Sequence, residues 1–155
     1  AGETGAVWIY KGILALSVDG EIRSFAEHHL ATEQEHLAFF EDWLSSGHKS
    51  LFLPLWRLSG FILGAVSALG GRRWVYASIE AVETFVVQHY ESQYPALDEY
   101  GDAVLFSAIR QFCSDEASHR DEAGSEASQR SEFLSAWCSL VSFGSEQAVK
   151  IARKI

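Results

Sequence analysis

The stretch Thr32-Glu33-Gln34-Glu35-His36 lies inside a long helical pattern and interrupts an otherwise apolar face. Glu33 and His36 are three residues apart, so both side chains project from the same face of a helix. A second Glu-x-x-His occurs at Glu116 and His119. One such pair is weak evidence, because short motifs also arise by chance. The positions of the two pairs on their helices therefore matter more than the motif itself.

Both pairs fall on an inner face, where apolar residues recur in steps of three and four. This spacing is typical of a helix that faces its neighbours in a bundle. Two further glutamates, Glu3 and Glu83, interrupt faces of the same kind. An ionised carboxylate on such a face is costly unless a cation or hydrogen bonds compensate it. Two divalent metal ions would balance the charge of all four carboxylates.

The order along the chain is Glu, Glu-x-x-His, Glu, Glu-x-x-His, with spacings of 30 residues from Glu3 to Glu33 and 33 from Glu83 to Glu116. This order predicts two similar helical hairpins with the dinuclear ligand set of ferritin-like carboxylate proteins. We therefore predict an all-α, ferritin-like four-helix bundle with additional apolar crossover and C-terminal helices. The expected metal ligands are Glu3, Glu33, His36, Glu83, Glu116 and His119. Iron and manganese both accept this ligand set, so the residues leave that choice open.

Six helical segments are predicted, at about 1–17, 20–46, 50–68, 72–93, 97–123 and 128–153. A chain of 155 residues is long enough for a substantial core, and we expect one ferritin-like domain over residues 1–155. The sequence has no methionine, from which we expect that its N-terminus is truncated.

The overall charge disfavours a nucleic-acid partner. The formal net charge is -9, whereas phosphate contacts need a basic surface. A di-iron hydroxylase that acts on tRNA is disfavoured by this charge and by the apolar segment 51–70. Cys113 and Cys138 are too few for a disulfide framework and suit a reducing compartment.

The segment 51–70 is strongly apolar and barely long enough to cross a bilayer. A span here would leave the two halves of the metal site on opposite sides of the membrane, which excludes it. Two uses remain open. The segment packs against the bundle or against another copy in a homo-oligomer, with Gly60 and Gly64 permitting close contact. Alternatively it lies in a membrane interface, with Trp56 and Arg57 at headgroup level.

Polar and aromatic residues near the expected ligands also have two readings. Asp115 is predicted to accept the outer ring N–H of His36, which would fix the tautomer of that histidine; the alternative is a solvated helix residue. Tyr10, Tyr76 and Tyr90 lie on inward faces, where a tyrosine is either structural or takes a redox or substrate role.

Several runs across nearly the whole chain match the pattern of one family, and they are residues 1–6, 9–12, 33–37, 53–56, 60–64, 81–84, 89–90 and 115–121. On these residues the chain resembles the Coq7 family, the 3-demethoxyubiquinol hydroxylases of ubiquinone synthesis. The resemblance implies a ferritin-like di-iron monooxygenase with two iron ions on the same six ligands. It further implies that His89 and Tyr90 lie beside the site in substrate positioning or electron delivery. Trp56 and Phe61 are expected to face the substrate or the membrane.

The implied reaction is hydroxylation of the ring of a polyprenylated demethoxyubiquinone or demethoxyubiquinol in coenzyme Q biosynthesis, with dioxygen and electrons from NADH. The implied location is a peripheral one, on the cytoplasmic face of a bacterial membrane or the matrix side of the mitochondrial inner membrane. Eukaryotic members of the family work with a lipid-binding partner protein. The competing interpretation is a ferritin-like, non-catalytic iron-binding or storage protein. Tail length, physiological reductant and oligomeric state stay open.

Overall fold

The computed structural model describes residues 1–44, 50–127 and 131–152, which contain helices and no strand. The helices are α1 (Gly2–Leu16), α2 (Gly20–Trp43), α3 (Leu53–Leu69), α4 (Arg72–Tyr100), α5 (Ala103–Glu126) and α6 (Glu132–Ala152). The predicted all-α class is confirmed, and this helix content and order are consistent with a ferritin-like bundle.

The chain divides into two compact units. Unit 1 comprises Ala1–Val75 together with Gln147–Ile155, and unit 2 comprises Tyr76–Glu146. Unit 1 therefore contains α1, α2 and α3, whereas unit 2 contains α5 and most of α4 and α6. Each unit carries one glutamate helix and one Glu-x-x-His helix. The assignment of residues 1–155 to one domain stays a prediction.

Glycines bring α1 and α3 into close contact inside unit 1. A Cβ atom added at Gly60 would collide with the carbonyl oxygen of Gly5, and one at Gly64 would collide with that of Ile9. From the other side, a Cβ atom at Gly12 would meet a carbonyl oxygen of α3. The backbones approach so closely that only hydrogen fits at these positions. The predicted close helix contact through Gly60 and Gly64 is thus confirmed, and it lies within the chain.

Both helices that carry Glu-x-x-His begin at an aspartate cap. The Asp19 carboxylate accepts hydrogen bonds from the N–H groups two and three residues further on, at 3.0 and 3.2 Å. Asp102 caps α5 in the same way, at 3.0 and 2.9 Å. Each cap precedes the glutamate of its motif by 14 residues, close to four helical turns. The motif therefore lies at the same distance from the helix start in both units.

Helix α4 continues through Pro95, where the sequence predicts a gap between two helices. The helix ends instead at Tyr100, and Gly101 turns the chain with a φ of 78°. Proline in a helix interior removes one backbone hydrogen bond to the carbonyl four residues earlier. Pro95 and Glu91 are both exposed, so water can bind that carbonyl group. The predicted helix end near residue 93 is wrong for this reason.

Across the described ranges, none of the helices is both long enough and apolar enough to pass through a bilayer.

Candidate metal centre

Unit 1 gathers the first three predicted ligands into one buried group, the unit 1 triad of Glu3, Glu33 and His36. The Nδ1 atom of His36 lies 3.9 Å from Oε2 of Glu3 and 4.0 Å from Oε2 of Glu33. One ligand atom from each residue lies within 4.8 Å of the other two. Helix α1 contributes Glu3, and α2 contributes the other two because a spacing of three residues places both on its inner face.

Unit 2 repeats this arrangement in the unit 2 triad of Glu83, Glu116 and His119. Helix α4 contributes Glu83 and α5 the other two, and their ligand atoms also lie within 4.8 Å of one another. The Nδ1 atom of His119 lies 3.1 Å from Oε2 of Glu116, which is a hydrogen-bond distance. The sequence prediction that these residues face inward is met in both units.

Burial makes these groups unusual. The residues Glu33, His36, Glu83, Glu116 and His119 are all 5% exposed or less, and the Glu3 side chain is 13% exposed. Glutamate is almost never buried to this degree without a compensating charge. The two buried carboxylates of each triad therefore require a compensating positive charge, which a divalent metal ion would provide.

The pKa of His119 shows how strongly the unit 2 triad attracts positive charge. Burial lowers this pKa, but the hydrogen bond to Glu116 and the charges of Glu83, Glu116 and Asp115 outweigh it, so the pKa lies above its ordinary value. A metal ion must displace the proton that these carboxylates favour, and metal binding is therefore coupled to proton release.

The donor set fits iron or manganese. Each triad carries a formal charge of two carboxylates, which neutralises one divalent cation, and a neutral imidazole completes it. Carboxylate-rich ligands with few nitrogens suit these borderline metals better than copper or a structural zinc site. The residues present thus agree in number, charge and chemistry with one divalent ion per triad.

Two further predicted residues, His89 and Tyr90, lie near the middle of α4. Tyr90 is buried and His89 is half-buried, which agrees with Tyr90 as the inward member of the pair. The His89 ring stacks on Phe85, with ring centroids 5.8 Å apart and an interplanar angle of 6°. Stacking on Phe85 therefore restrains the orientation of the half-buried His89 ring.

Asp115 is half-buried on α5. Its Oδ1 atom accepts a hydrogen bond of 2.8 Å from the side-chain amide of Gln111, and its charge contributes to the raised pKa of His119. Asp115 is therefore coupled electrostatically to the unit 2 triad. Its predicted hydrogen bond to His36 stays a prediction.

Of the two residues expected to face substrate or membrane, Trp56 is placed differently. Trp56 is buried, 8% exposed, and its Nε1 atom lies 3.4 Å from Oγ of Ser50. It shares the face of α3 that also buries Gly60 and Gly64, so it packs toward the interior of unit 1, and its contact with substrate or membrane stays a prediction. Phe61 is half-buried and meets Trp8 edge-on, with ring centroids 6.3 Å apart.

Sequence reasoning missed a buried polar pair beside the unit 1 triad. His29 is fully buried, and its Nδ1 atom lies 3.4 Å from the hydroxyl of Tyr10. A histidine on an otherwise apolar helix face is the signal that could have found it, since a buried imidazole needs a hydrogen-bond partner.

Taken together, the two triads are those of an all-α protein whose buried carboxylates and histidines could hold metal ions. Residues 1–152 match the family described as Ubiquinone biosynthesis protein COQ7. The chain belongs to this family, as its short motifs predicted.

Relatives with curated names agree with this membership. A 3-demethoxyubiquinol 3-hydroxylase from Rhodospirillum rubrum is 31% identical over 158 residues, covering 100% of this chain and 74% of the relative. An NADPH-dependent 3-demethoxyubiquinone 3-hydroxylase, mitochondrial, from Dictyostelium discoideum is 30% identical over 159 residues, covering 100% and 73%. A relative of the same name from Caenorhabditis elegans is 30% identical over 161 residues, covering 100% and 86%.

Proposed function

We propose that the protein is a di-iron monooxygenase that hydroxylates the ring of a polyprenylated demethoxyubiquinol in ubiquinone biosynthesis. The observation that carries this proposal is the recurrence of one buried triad in both units of a chain that belongs to the COQ7 family. The named relatives act on this substrate class. Each triad would hold one iron ion, with two carboxylates and one histidine as its ligands, which gives two irons per chain.

The iron pair would supply the oxidising power: with dioxygen and two electrons, one oxygen atom enters the ring and the other leaves as water. Relatives are named NADPH-dependent, whereas the sequence predicts NADH, so a reduced nicotinamide is the proposed electron source in either case. The protein's own contribution is to hold the ligands and to keep the site dry.

The ligand residues would prepare the site by charge and orientation. His119 gives up its proton when metal binds, because a ligating imidazole must be neutral at the nitrogen that bonds the metal. Asp115 tunes this histidine through its negative charge. Tyr90, buried beside the stacked ring of His89, would position the quinone ring or pass electrons toward it. Phe85 would fix the orientation of His89 for that role.

The substrate's isoprenoid tail would arrive along the exposed face of α3. Exposed large apolar residues on this helix and its lead-in include a row that recurs every three or four positions, formed by Leu51, Leu55, Leu58, Ile62, Val66 and Leu69. A stripe of this length exceeds the scattered apolar exposure of ordinary surfaces. We propose that it lies in a membrane interface, which makes the protein peripheral to the cytoplasmic face of a bacterial membrane or to the matrix side of the mitochondrial inner membrane.

A reaction assay tests the hydroxylase directly. Protein loaded anaerobically with iron is reduced, then mixed with dioxygen and a short-tailed demethoxyubiquinone analogue, and the product is read by mass spectrometry. Isotopically labelled dioxygen should place its label in the ring, whereas labelled water should not. Protein that binds two irons per chain but yields no hydroxylated ring contradicts the proposal. NADH and NADPH are compared in parallel to identify the reductant.

The same preparation decides the storage alternative. A ferritin-like store predicts a large cage and mineralisation of many irons per chain, whereas the hydroxylase saturates at two irons in a small assembly. Gel filtration combined with iron titration separates these outcomes. It also reports whether the chain forms the homo-oligomer that the apolar α3 face would alternatively support.

Membrane attachment has a matched pair of variants on α3. Leu58→Glu places a charge on the exposed stripe, while Ser59→Glu places the same charge on a neighbouring exposed position. Cosedimentation with phosphatidylcholine and phosphatidylglycerol vesicles should fall for Leu58→Glu and hold for Ser59→Glu. Equal binding by both variants, or no binding by the unmodified protein, rejects the membrane assignment of this face.

A further inference from the structure

Unit 1 contains a tyrosine and a histidine that are fully buried and in contact with each other. Tyr10 on α1 and His29 on α2 are each 0% exposed. The Tyr10 hydroxyl lies 3.4 Å from Nδ1 of His29, a long hydrogen bond. Phe25 packs on the histidine, with ring centroids 4.2 Å apart. Both polar side chains are thus held in a dry aromatic environment.

This pair lies next to the unit 1 triad without belonging to it. His29 precedes Glu33 by four residues on α2, about one helical turn. Tyr10 follows Glu3 by seven residues on α1, about two turns. Because residues four or seven apart share a helix face, the pair continues the same inner face that carries the ligands.

The chemistry of a buried phenol depends on where its proton can go. Removing one electron from a phenol creates a cation unless the O–H proton leaves at the same time, and a bare cation in an apolar core is strongly disfavoured. The Nδ1 atom of His29 is the proton acceptor at hand, in the tautomer that carries its own hydrogen on Nε2. Imidazole is far more basic than the oxygen of an oxidised phenol, so the proton moves to His29 and Tyr10 is left as a neutral radical.

We propose that Tyr10 and His29 form a proton-coupled redox pair that supplies one electron to the metal centre. The O–H bond of Tyr10 would break, an N–H bond would form at Nδ1 of His29, and one electron would pass to iron that Glu3, Glu33 and His36 would hold and that dioxygen has already oxidised. Tyr10 becomes a neutral phenoxyl radical and His29 an imidazolium. Return of an electron from the reductant reverses both changes. The pair would protect the site when iron meets dioxygen without substrate.

This inference rests on the proposed function, which supplies the oxidant. Its first test measures a tyrosyl radical and does not depend on formation of a hydroxylated quinone. Iron-loaded protein is exposed to dioxygen without quinone, freeze-quenched and examined by electron paramagnetic resonance. A tyrosyl radical is expected in the unmodified protein and in Tyr94→Phe, a control at a half-buried tyrosine of unit 2. The signal should vanish in Tyr10→Phe and fall about tenfold in His29→Gln, since a hydrogen bond in a dry interior changes an equilibrium by that order.

A second test is independent of iron. Zinc, which neither supplies nor accepts electrons, is added in place of iron. Photogenerated ruthenium(III) in solution then serves as the oxidant of the protein's tyrosines. In a Tyr100→Phe background, which removes an exposed tyrosine, transient absorption of a phenoxyl radical should depend on Tyr10 and its formation should slow in deuterated water. Circular dichroism reports whether each variant is folded. Zinc titration separately reports whether the triads bind metal. Absence of zinc binding would contradict the proposed metal site without bearing on the redox pair of Tyr10 and His29. A radical that survives Tyr10→Phe, or none in the unmodified folded chain, overturns the redox pair.

Discussion

The two triads use the same ligand types at the same distance from their helix caps, yet they hold histidine differently. In unit 2 the His119 ring lies at hydrogen-bond distance from Glu116, 3.1 Å. In unit 1 the His36 ring is 3.9 and 4.0 Å from its two carboxylates, beyond hydrogen-bond range. One motif therefore gives two local geometries. Helical spacing determines which side chains share a face, whereas their separation depends on how the neighbouring helix packs.

The residue before each motif glutamate adds an electrostatic difference. Unit 2 has Asp115 at this position and unit 1 has Thr32. The aspartate helps to raise the pKa of His119. The carboxylate of Asp115 adds negative charge beside the unit 2 triad, so the same charge change in the two triads need not have equal effects.

The largest expected effect comes from removing a carboxylate from either triad. Glu33→Gln and Glu116→Gln should each weaken metal binding by at least about a hundredfold, because even residues that only support a ligand change affinity by 10–100-fold. In the metal-free protein Glu33→Gln should raise the free energy of unfolding by about 1–3 kcal/mol, since a buried negative charge is removed. Glu116→Gln should gain less, because it also weakens the buried hydrogen bond to His119. Metal titration and urea denaturation measure the two effects.

Glu35→Gln and Glu122→Gln are the matched controls for these variants. Each lies on the same helix as the glutamate it controls, but it is exposed. Both controls should leave metal binding and stability nearly unchanged. Equal losses in a control and its triad variant would mean that net charge, and not ligation, governs the effect. A larger loss in one unit than in the other measures the asymmetry between the triads.

The next largest effect contrasts the helix packing of the two units. Gly64→Ala should destabilise unit 1 by about 3 kcal/mol, because its Cβ atom would collide with the backbone of Ile9. Gly144→Ala, on α6 in unit 2, meets no atom within 4 Å and should stabilise by up to about 1 kcal/mol through helix propensity. Thermal and urea denaturation measure whether each variant lowers or raises the free energy of unfolding. A destabilising Gly144→Ala would show a contact that this glycine makes elsewhere.

The inner helix faces could be predicted from sequence because burial and periodicity act locally. An ionised residue on an apolar face identified Glu33 and Glu116, and the repeated order of motifs identified their partners Glu3 and Glu83. The same reasoning placed Gly60 and Gly64 at a close helix contact, since only glycine permits it. These features depend on the spacing of residues along one helix, and this spacing follows directly from the sequence.

Other features depend on contacts between helices and could not be read in this way. Pro95 predicts a helix end, but exposure of the turn before it lets α4 continue. Trp56 has the composition of a membrane-interface residue, yet its position on the glycine-bearing face of α3 buries it. The contact of Tyr10 with His29 joins two helices, and no spacing within either helix encodes it.

A moderate effect is expected at the two aspartate caps. Asp19→Ala and Asp102→Ala each remove hydrogen bonds to two backbone N–H groups and should cost about 1 kcal/mol. Asp19→Asn and Asp102→Asn keep an accepting oxygen at each position and should lose much less. Chemical denaturation compares the four variants. Equal losses for alanine and asparagine would assign the stability to charge and not to capping.

The smallest expected effect concerns the ion pair between Asp19 and Arg72, a further contact of the unit 1 cap. The guanidinium of Arg72 donates to Oδ2 of Asp19 at 2.6 Å and also contacts Glu21. The hydrogen bond from Arg72 is the main reason that the pKa of Asp19 lies below its ordinary value. A lowered carboxyl pKa contributes stability above the pKa of the unfolded chain, and that contribution is lost as pH falls through the folded value.

Arg72→Gln should therefore move the pKa of Asp19 upward, toward that of an ordinary aspartate, while the cap bonds to the backbone remain. Carboxyl carbon chemical shifts followed by NMR across the acidic range measure this shift at the residue itself. Arg73→Gln removes the same charge from the next, exposed position and should leave the pKa of Asp19 nearly unchanged. The stability difference should be small at neutral pH because the pair is exposed to solvent and screened by salt. If both variants shift the pKa equally, the lowered value reflects the general field of the surface and not the bond from Arg72.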